Sequence, residues 1–245
     1  MSVLLGSHGS FRLAKHPAAR TATELLGRVL RVSEPIYITE TRTAYGIVAV
    51  DYAETLKDHL AAAPLERALL GTFAELVRAG GGGPVADVGC GPGRITTYLD
   101  SLGLDVTGID LTPEMIAVAR EAYPGLAFQV GTMTDLDLKD GALGGLVAWY
   151  SIIHTPPELL PVVFAEFARV LAPGGQLILA FQAGDEVVRV EQAYGHEVAA
   201  DAYRLEPDRI AELLADAGIV LGTRVVKERE GQEKTPQAYL LAHKP

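Results

Sequence analysis

The stretch VADVGCGPGR, Val85 to Arg94, constrains the fold more than any other part of the chain. An apolar run leads into it, Gly89, Gly91 and Gly93 alternate with other residues, and a helical pattern follows. Alternating glycines permit a tight turn and let a ligand approach the backbone closely. Strand, glycine turn and helix form the unit from which doubly wound α/β sheets are built.

The rest of the chain repeats that alternation. Ala44 to Ala62 reads as a helix, and Pro64 opens another with Leu65, Leu69, Leu70, Phe73, Leu76 and Val77 at helical spacing. Gly80 to Gly83 stops it, and Pro84 to Val88 reads as a buried strand. A helix is expected over Gly93–Leu102, a strand over Leu104–Ile109, and a helix capped by Thr112 with Pro113 in its first turn. Strands follow at Leu126–Val130, Leu146–Tyr150 and Gln176–Phe181, with helices at Pro156–Leu171 and Pro207–Ala217. Too few residues separate Ile219–Lys227 from Gln237–Ala242 for a helical crossover, so these pair as an antiparallel hairpin. The expected fold is α/β and Rossmann-like: a doubly wound, mostly parallel sheet with an antiparallel last strand and helices on both faces.

Composition narrows the partners. A chain of 245 residues, 49% hydrophobic, suffices for one sizeable core. Its net charge of -10 disfavours nucleic acid and anionic membranes and leaves small molecules open. Cys90 is the single cysteine, which fits a cytoplasmic address, and no metal-ligand spacing is present, so no metal is expected. No apolar run reaches the roughly 18 residues that span a bilayer. Residues 1–42 are slightly basic and are expected to be an extension, with a possible helix at Ala18–Val32, ahead of a domain over residues 43–245.

Two familiar glycine loops do not fit. A Walker loop needs a lysine after its glycines, and none follows. The dinucleotide fingerprint wants a small residue three places after its second glycine, and Arg94 stands there. Asp87, two residues before the glycines, is awkward beside a pyrophosphate and welcome beside an ammonium group.

Five ordered segments, with a sixth ahead of them in the chain, carry a family resemblance. VADVGCGPGR resembles motif I of class I S-adenosylmethionine-dependent methyltransferases, and VTGIDLTPEMIAVAR resembles their second motif. FQVGTMTDLDL, LVAWYSIIHTPPELL and FARVLAPGGQLILAF resemble the later strand and helix–turn–strand motifs. AYGIVAVDYAE is similar to the Y-x-x-x-A-x-x-Y helix of small-molecule members. The likeness runs from about Thr43 to Lys244 and implies S-adenosylmethionine as cofactor, a small-molecule methyl acceptor and seven strands.

The resemblance implies roles residue by residue. Asp87 and the Gly89 backbone would serve the cofactor's amino group, with Cys90, Gly91 and Gly93 completing the turn. Asp110, about twenty residues beyond the loop, would hold the ribose hydroxyls, or act as a helix N-terminal acid. Leu111 and Met115 would flank the adenine, and Thr132, the Met133 amide or Asp135 would meet its polar edge. Tyr45 or Tyr52, or else Arg94, would reach the cofactor's carboxylate, and Trp149 would stand where the methyl points. His154 is either the candidate base, with Tyr150 beside it, or a histidine that orients the loop before Pro156. Tyr45, Tyr150, His154, His196 and Tyr203, with Tyr194 and Arg204, are candidates for the acceptor pocket. The rival readings are a nicotinamide-dependent oxidoreductase and a cofactor-binding protein without turnover.

Overall fold

A computed structural model describes residues 34–245 apart from Gln232; the helix expected at Ala18–Val32 lies outside the described residues. The described helices are α1 (Ile36–Leu56), α2 (His59–Ala62), α3 (Pro64–Ala79), α4 (Arg94–Ser101), α5 (Pro113–Ala122), α6 (Leu160–Val170) and α7 (Pro207–Asp216). The strands are β1 (Val85–Val88), β2 (Val106–Asp110), β3 (Ala127–Val130), β4 (Leu143–Trp149), β5 (Leu171–Gln182), β6 (Val187–Ala193), β7 (His196–Tyr203), β8 (Val220–Lys227) and β9 (Gln237–His243).

Strand β1 is buried along its whole length and pairs in parallel with β2 on one side and β4 on the other. The chain therefore winds outward in both directions from one central strand. The seven-stranded sheet has the order β3-β2-β1-β4-β5-β9-β8. Strand β9 runs antiparallel to both β5 and β8, so the last strand of the chain is the antiparallel one, lying one place in from the edge.

Successive strand residues point to opposite faces. Val147, Trp149, Ile178, Tyr239 and Leu241 pack with Leu70, Phe73 and Val77 of α3 and with Ile95 and Leu99 of α4. Leu146, Ala148, Leu177, Leu179 and Leu240 pack on the other face with Phe164 and Phe167 of α6 and Leu213 and Leu214 of α7. Fully buried side chains such as Phe73 and Phe167 contribute about 1.5–3 kcal/mol each. This alternation also sets the site: Asp87 follows Ala86 and precedes Val88, both of the α6/α7 face, so it faces α4 instead.

Two elements differ from expectation. Helix α1 begins at Ile36 rather than near Ala44, because Pro35 sets its start and buried Ile38 already anchors its first turn. Residues 187–203 form a separate β6–β7 hairpin. Tyr194 and Gly195, both at positive φ, make its two-residue turn. Helix α1 and the hairpin are joined by Arg189, which donates to Glu40 at 2.8 and 3.0 Å and to Asp201 at 3.1 Å, and by His196 beside Asp51 at 2.8 Å. Such exposed pairs are worth at most about 1 kcal/mol each. The rings of Tyr52 and Tyr194 meet edge-on at 5.2 Å. Among the described residues no helix is long and apolar enough to cross a membrane.

Candidate active site

Ligands in doubly wound sheets rest beyond the carboxyl ends of the strands, where the winding reverses. Here that place lies between β1 and β4. The turn after β1 folds over the tip of β2, with the Gly89 and Cys90 amides both donating to the Ile109 carbonyl, at 2.7 and 3.1 Å. Ser151, just after β4, donates to the Val88 carbonyl at 2.7 Å and holds the two strand ends together. That closeness is why residue 89 is glycine. Its φ is +78°, and a Cβ there would lie 2.2 Å from the Ser151 Cβ.

Two carboxylates flank the turn. Asp110 ends β2 and accepts the Gly91 amide on Oδ2 and the Thr112 amide on Oδ1, each at 2.8 Å. Burial raises its pKa against those two hydrogen bonds. Each oxygen still has acceptor capacity, and Asp110 lines the cleft. Asp87 is fully buried and does not itself line the cleft. Thr96 donates to its Oδ2 at 2.7 Å, while Oδ1 has no hydrogen-bond partner among the described residues. Burial pushes its pKa up to about 7, against the Thr96 hydrogen bond and the Arg94 charge.

The cleft holds about 760 Å³, counting the part open to solvent. Leu111, Met115, Thr132 and Met133 line it near the tips of β2 and β3, and Trp149, Tyr150, Tyr45, Tyr52 and His154 line it near β4 and α1. The Trp149 Nε1 is buried without a partner among the described residues.

His154 sits in a 3₁₀ turn after β4 and is tied at both nitrogens. Its Nδ1 lies 2.9 Å from the Asp201 carbonyl of β7, and its Nε2 lies 2.8 Å from the Tyr45 hydroxyl. A carbonyl only accepts, so Nδ1 carries the proton and Nε2 accepts from Tyr45. Burial lowers the His154 pKa, against the Asp201 carbonyl, and burial raises that of Tyr45. Both groups are thereby held neutral. A second cavity, of about 1320 Å³ including open solvent, meets the first at this pair, because Tyr45 and His154 line both.

Several sequence candidates are placed elsewhere. The Cys90 side chain packs with Ile116, Ala119 and Phe128, so only its backbone belongs to the turn. Gly93 caps α4 at φ +85°, and neither it nor Arg94 lines the cleft. Arg94 lines a neighbouring surface pocket, and its Nη1 is buried without a partner among the described residues. The Tyr150 hydroxyl lies 3.2 Å from that of Tyr239, which donates to Glu66 at 3.4 Å; its oxygen is engaged in the core instead of being free for proton transfer. His196 is held at the hairpin's outer end by Asp51, and Tyr203 packs against the α6/α7 face; neither lines either cavity. The cleft also uses Tyr37, Ile38 and Thr41, from the part of α1 that sequence periodicity did not reach. Val188, Val190, Val198 and Ala200 line the second cavity, and their alternation in the hairpin was the signal that could have found them.

Comparison with known proteins fits this geometry. Residues 85–175 match the Methyltransferase domain family. An uncharacterized methyltransferase of Mycobacterium tuberculosis is 38% identical over 105 residues, covering 42% of this chain and 41% of that protein. Malonyl-[acyl-carrier protein] O-methyltransferase of Pectobacterium atrosepticum is 30% identical over 133 residues, 50% of this chain and 52% of that one. The chain thus spans about half or less of the length of these curated relatives. Magnesium protoporphyrin IX methyltransferase of Synechocystis PCC 6803 shares the fold with a TM-score of 0.64 at 18% identity, covering 87% of this chain and 99% of that one. A solved methyltransferase of Methanosarcina mazei has a TM-score of 0.60 at 24% identity, covering 66% and 92%. The sheet order is that of the Rossmann-like fold of these solved structures, and residues 85–175 carry the methyltransferase match. The family match over residues 85–175 and these relatives support a class I S-adenosylmethionine-dependent methyltransferase domain in this chain.

Proposed function

We propose that this protein transfers the methyl group of S-adenosylmethionine to a small-molecule acceptor. The observation that carries the reading is the pair of carboxylates, Asp87 and Asp110, on either side of one glycine turn, with a buried Asp87 oxygen lacking a partner. An ammonium group in the cleft would satisfy that oxygen, directly or through water, whereas a pyrophosphate beside Asp87 would be repelled; an acid at the Asp110 position serves a ribose in either ligand. Bound there, S-adenosylmethionine supplies a methyl already activated by its positive sulfur.

The chain's own residues then have four tasks. Asp87 would hold the amino group and Asp110 the ribose hydroxyls. Leu111 and Met115 would wall the adenine, with Thr132 and the Met133 amide at its polar edge. Tyr52 and Trp149 would close over the methionine part, and the cap made by α1 and the hairpin would exclude water. Tyr45 and His154 would take the acceptor's proton: the phenol stands at the junction of the two cavities, and His154 Nε2 behind it receives the proton. Holding two reactants aligned can supply about 7–11 kcal/mol of barrier lowering, and a general base about 10²–10⁴-fold.

Calorimetry with S-adenosylhomocysteine, S-adenosylmethionine and NAD tests the reading. Heat with the first two and none with NAD supports it; heat with NAD alone would show an oxidoreductase instead.

A further inference from the structure

The second cavity has a chemical signature that the methyl-donor site does not account for. It begins at Tyr45 and His154. From there its walls are small and aliphatic: Val188 and Val190 of β6, and Val198, Ala200 and Ala202 of β7. These are alternate residues of each strand, so they share the face of the hairpin that is turned to the cavity. The same cavity is also lined by polar groups: Arg204, Lys234, Glu233, Gln182 and Gln237.

Arg204 is the decisive group. Its side chain is only 10% exposed, yet its Nε has no hydrogen bond among the described residues. The Glu186 carboxylate stands 3.3 Å from that nitrogen, but it is itself 71% exposed and lacks hydrogen-bond alignment. A buried guanidinium left incompletely paired is costly, and a carboxylate fits its planar fork in two hydrogen bonds. Lys234 lines the same cavity and adds positive charge; Glu233 lines it too, with its carboxylate paired to Lys227 at 2.7 Å.

Resting on the methyl-transfer reading above, we infer that the acceptor is an amphipathic monoanion. Its nucleophile lies at the Tyr45–His154 junction, its apolar body lies along the hairpin face, and its carboxylate lies against Arg204. Hydrophobic burial along the valines and alanines supplies affinity without direction. The charged end then fixes which way round the molecule enters, so that the nucleophile reaches the junction rather than the solvent.

The test uses the full chain and three probes with the same body: decanoate, decanol and decyltrimethylammonium. Binding is measured by calorimetry in the presence of saturating S-adenosylhomocysteine. Decanoate is expected to bind at least about tenfold more tightly than decanol, from one charge-assisted hydrogen-bonded pair, and the cation most weakly. Arg204→Gln should remove the preference for decanoate while leaving decanol binding unchanged. Ala200→Phe, which fills the apolar wall, should weaken decanoate and decanol together. Lys234→Gln provides a milder change should the Arg204 variant fail to fold, and should reduce the decanoate preference in part. Equal binding of decanoate and decanol, or a preference that survives Arg204→Gln in a folded protein, would overturn the inference. The methyl-donor reading is judged separately: if S-adenosylhomocysteine gives no heat while decanoate still binds, that reading fails and the anion site stands.

Discussion

The Tyr45 hydroxyl and the His154 Nε2 stand 2.8 Å apart, joining the cap helix to the turn after the fourth strand. Because Nδ1 is held by the Asp201 carbonyl, the ring is fixed in the tautomer that accepts from the phenol. If the pair removes a proton from the acceptor, His154→Gln should lower kcat by about 10²-fold or more, while S-adenosylhomocysteine affinity stays within about twofold. Tyr45→Phe should lower kcat with the ring contact to Tyr52 retained. Stopped-flow rates and calorimetry on the same preparations check this. A rate loss matched by an equal loss of cofactor affinity would make the pair structural.

Asp110 serves two backbone amides at once. Asp110→Asn keeps one acceptor but turns an NH₂ group toward either Gly91 or Thr112, both of which donate. The lost and opposed hydrogen bonds should cost about 1–3 kcal/mol of stability. S-adenosylhomocysteine affinity should fall at least about tenfold, because an amide of fixed orientation cannot accept both ribose hydroxyls. Denaturant titration and calorimetry separate the two effects. Unchanged affinity in a folded Asp110→Asn protein would remove the ribose role.

Gly89→Ala meets two obstacles together. A left-handed backbone costs an alanine about 1–2 kcal/mol, and its Cβ would fall 2.2 Å from that of Ser151. Destabilisation above about 2 kcal/mol is expected. The double variant with Ser151→Gly should recover the steric part and retain the backbone part. Urea midpoints of the three proteins give the comparison, and a Gly89→Ala protein as stable as the parent would contradict the packing at this turn.

The sheet was legible in the sequence because its signals are local. Proline at Pro64 and Pro113, glycine runs and short apolar strands mark elements without reference to the rest of the chain. The two acids beside the turn were legible for the same reason. What could not be read is what depends on long-range packing. Tyr150 lines the cleft, but its hydroxyl is claimed by that of Tyr239, which is distant in the chain and itself donates to Glu66. Arg94 follows the turn, yet the start of α4 carries it into a neighbouring pocket. The β6–β7 hairpin was not read from the sequence, although Val188, Val190, Val198 and Ala200 alternate as a strand face should.

Asp87 links stability and binding to pH in opposite directions. An ordinary aspartate titrates near 3.9, and burial raises this one to about 7. The folded chain therefore keeps a proton that the unfolded chain releases. The contribution of this group to stability is fully present below about pH 4 and is lost as pH rises through about 7. Asp87→Asn removes that dependence, so the ligand-free variant should lose less stability than the parent between about pH 5 and 8. Comparing the two proteins cancels His154, whose lowered pKa acts with the other sign. Ligand binding should run the opposite way, because an ammonium group needs the ionised carboxylate. S-adenosylhomocysteine affinity should rise as pH increases toward 7, by up to about tenfold per pH unit, and level off above it. Calorimetry across that range checks the slope. A flat profile in the parent protein would mean that the amino group does not meet Asp87.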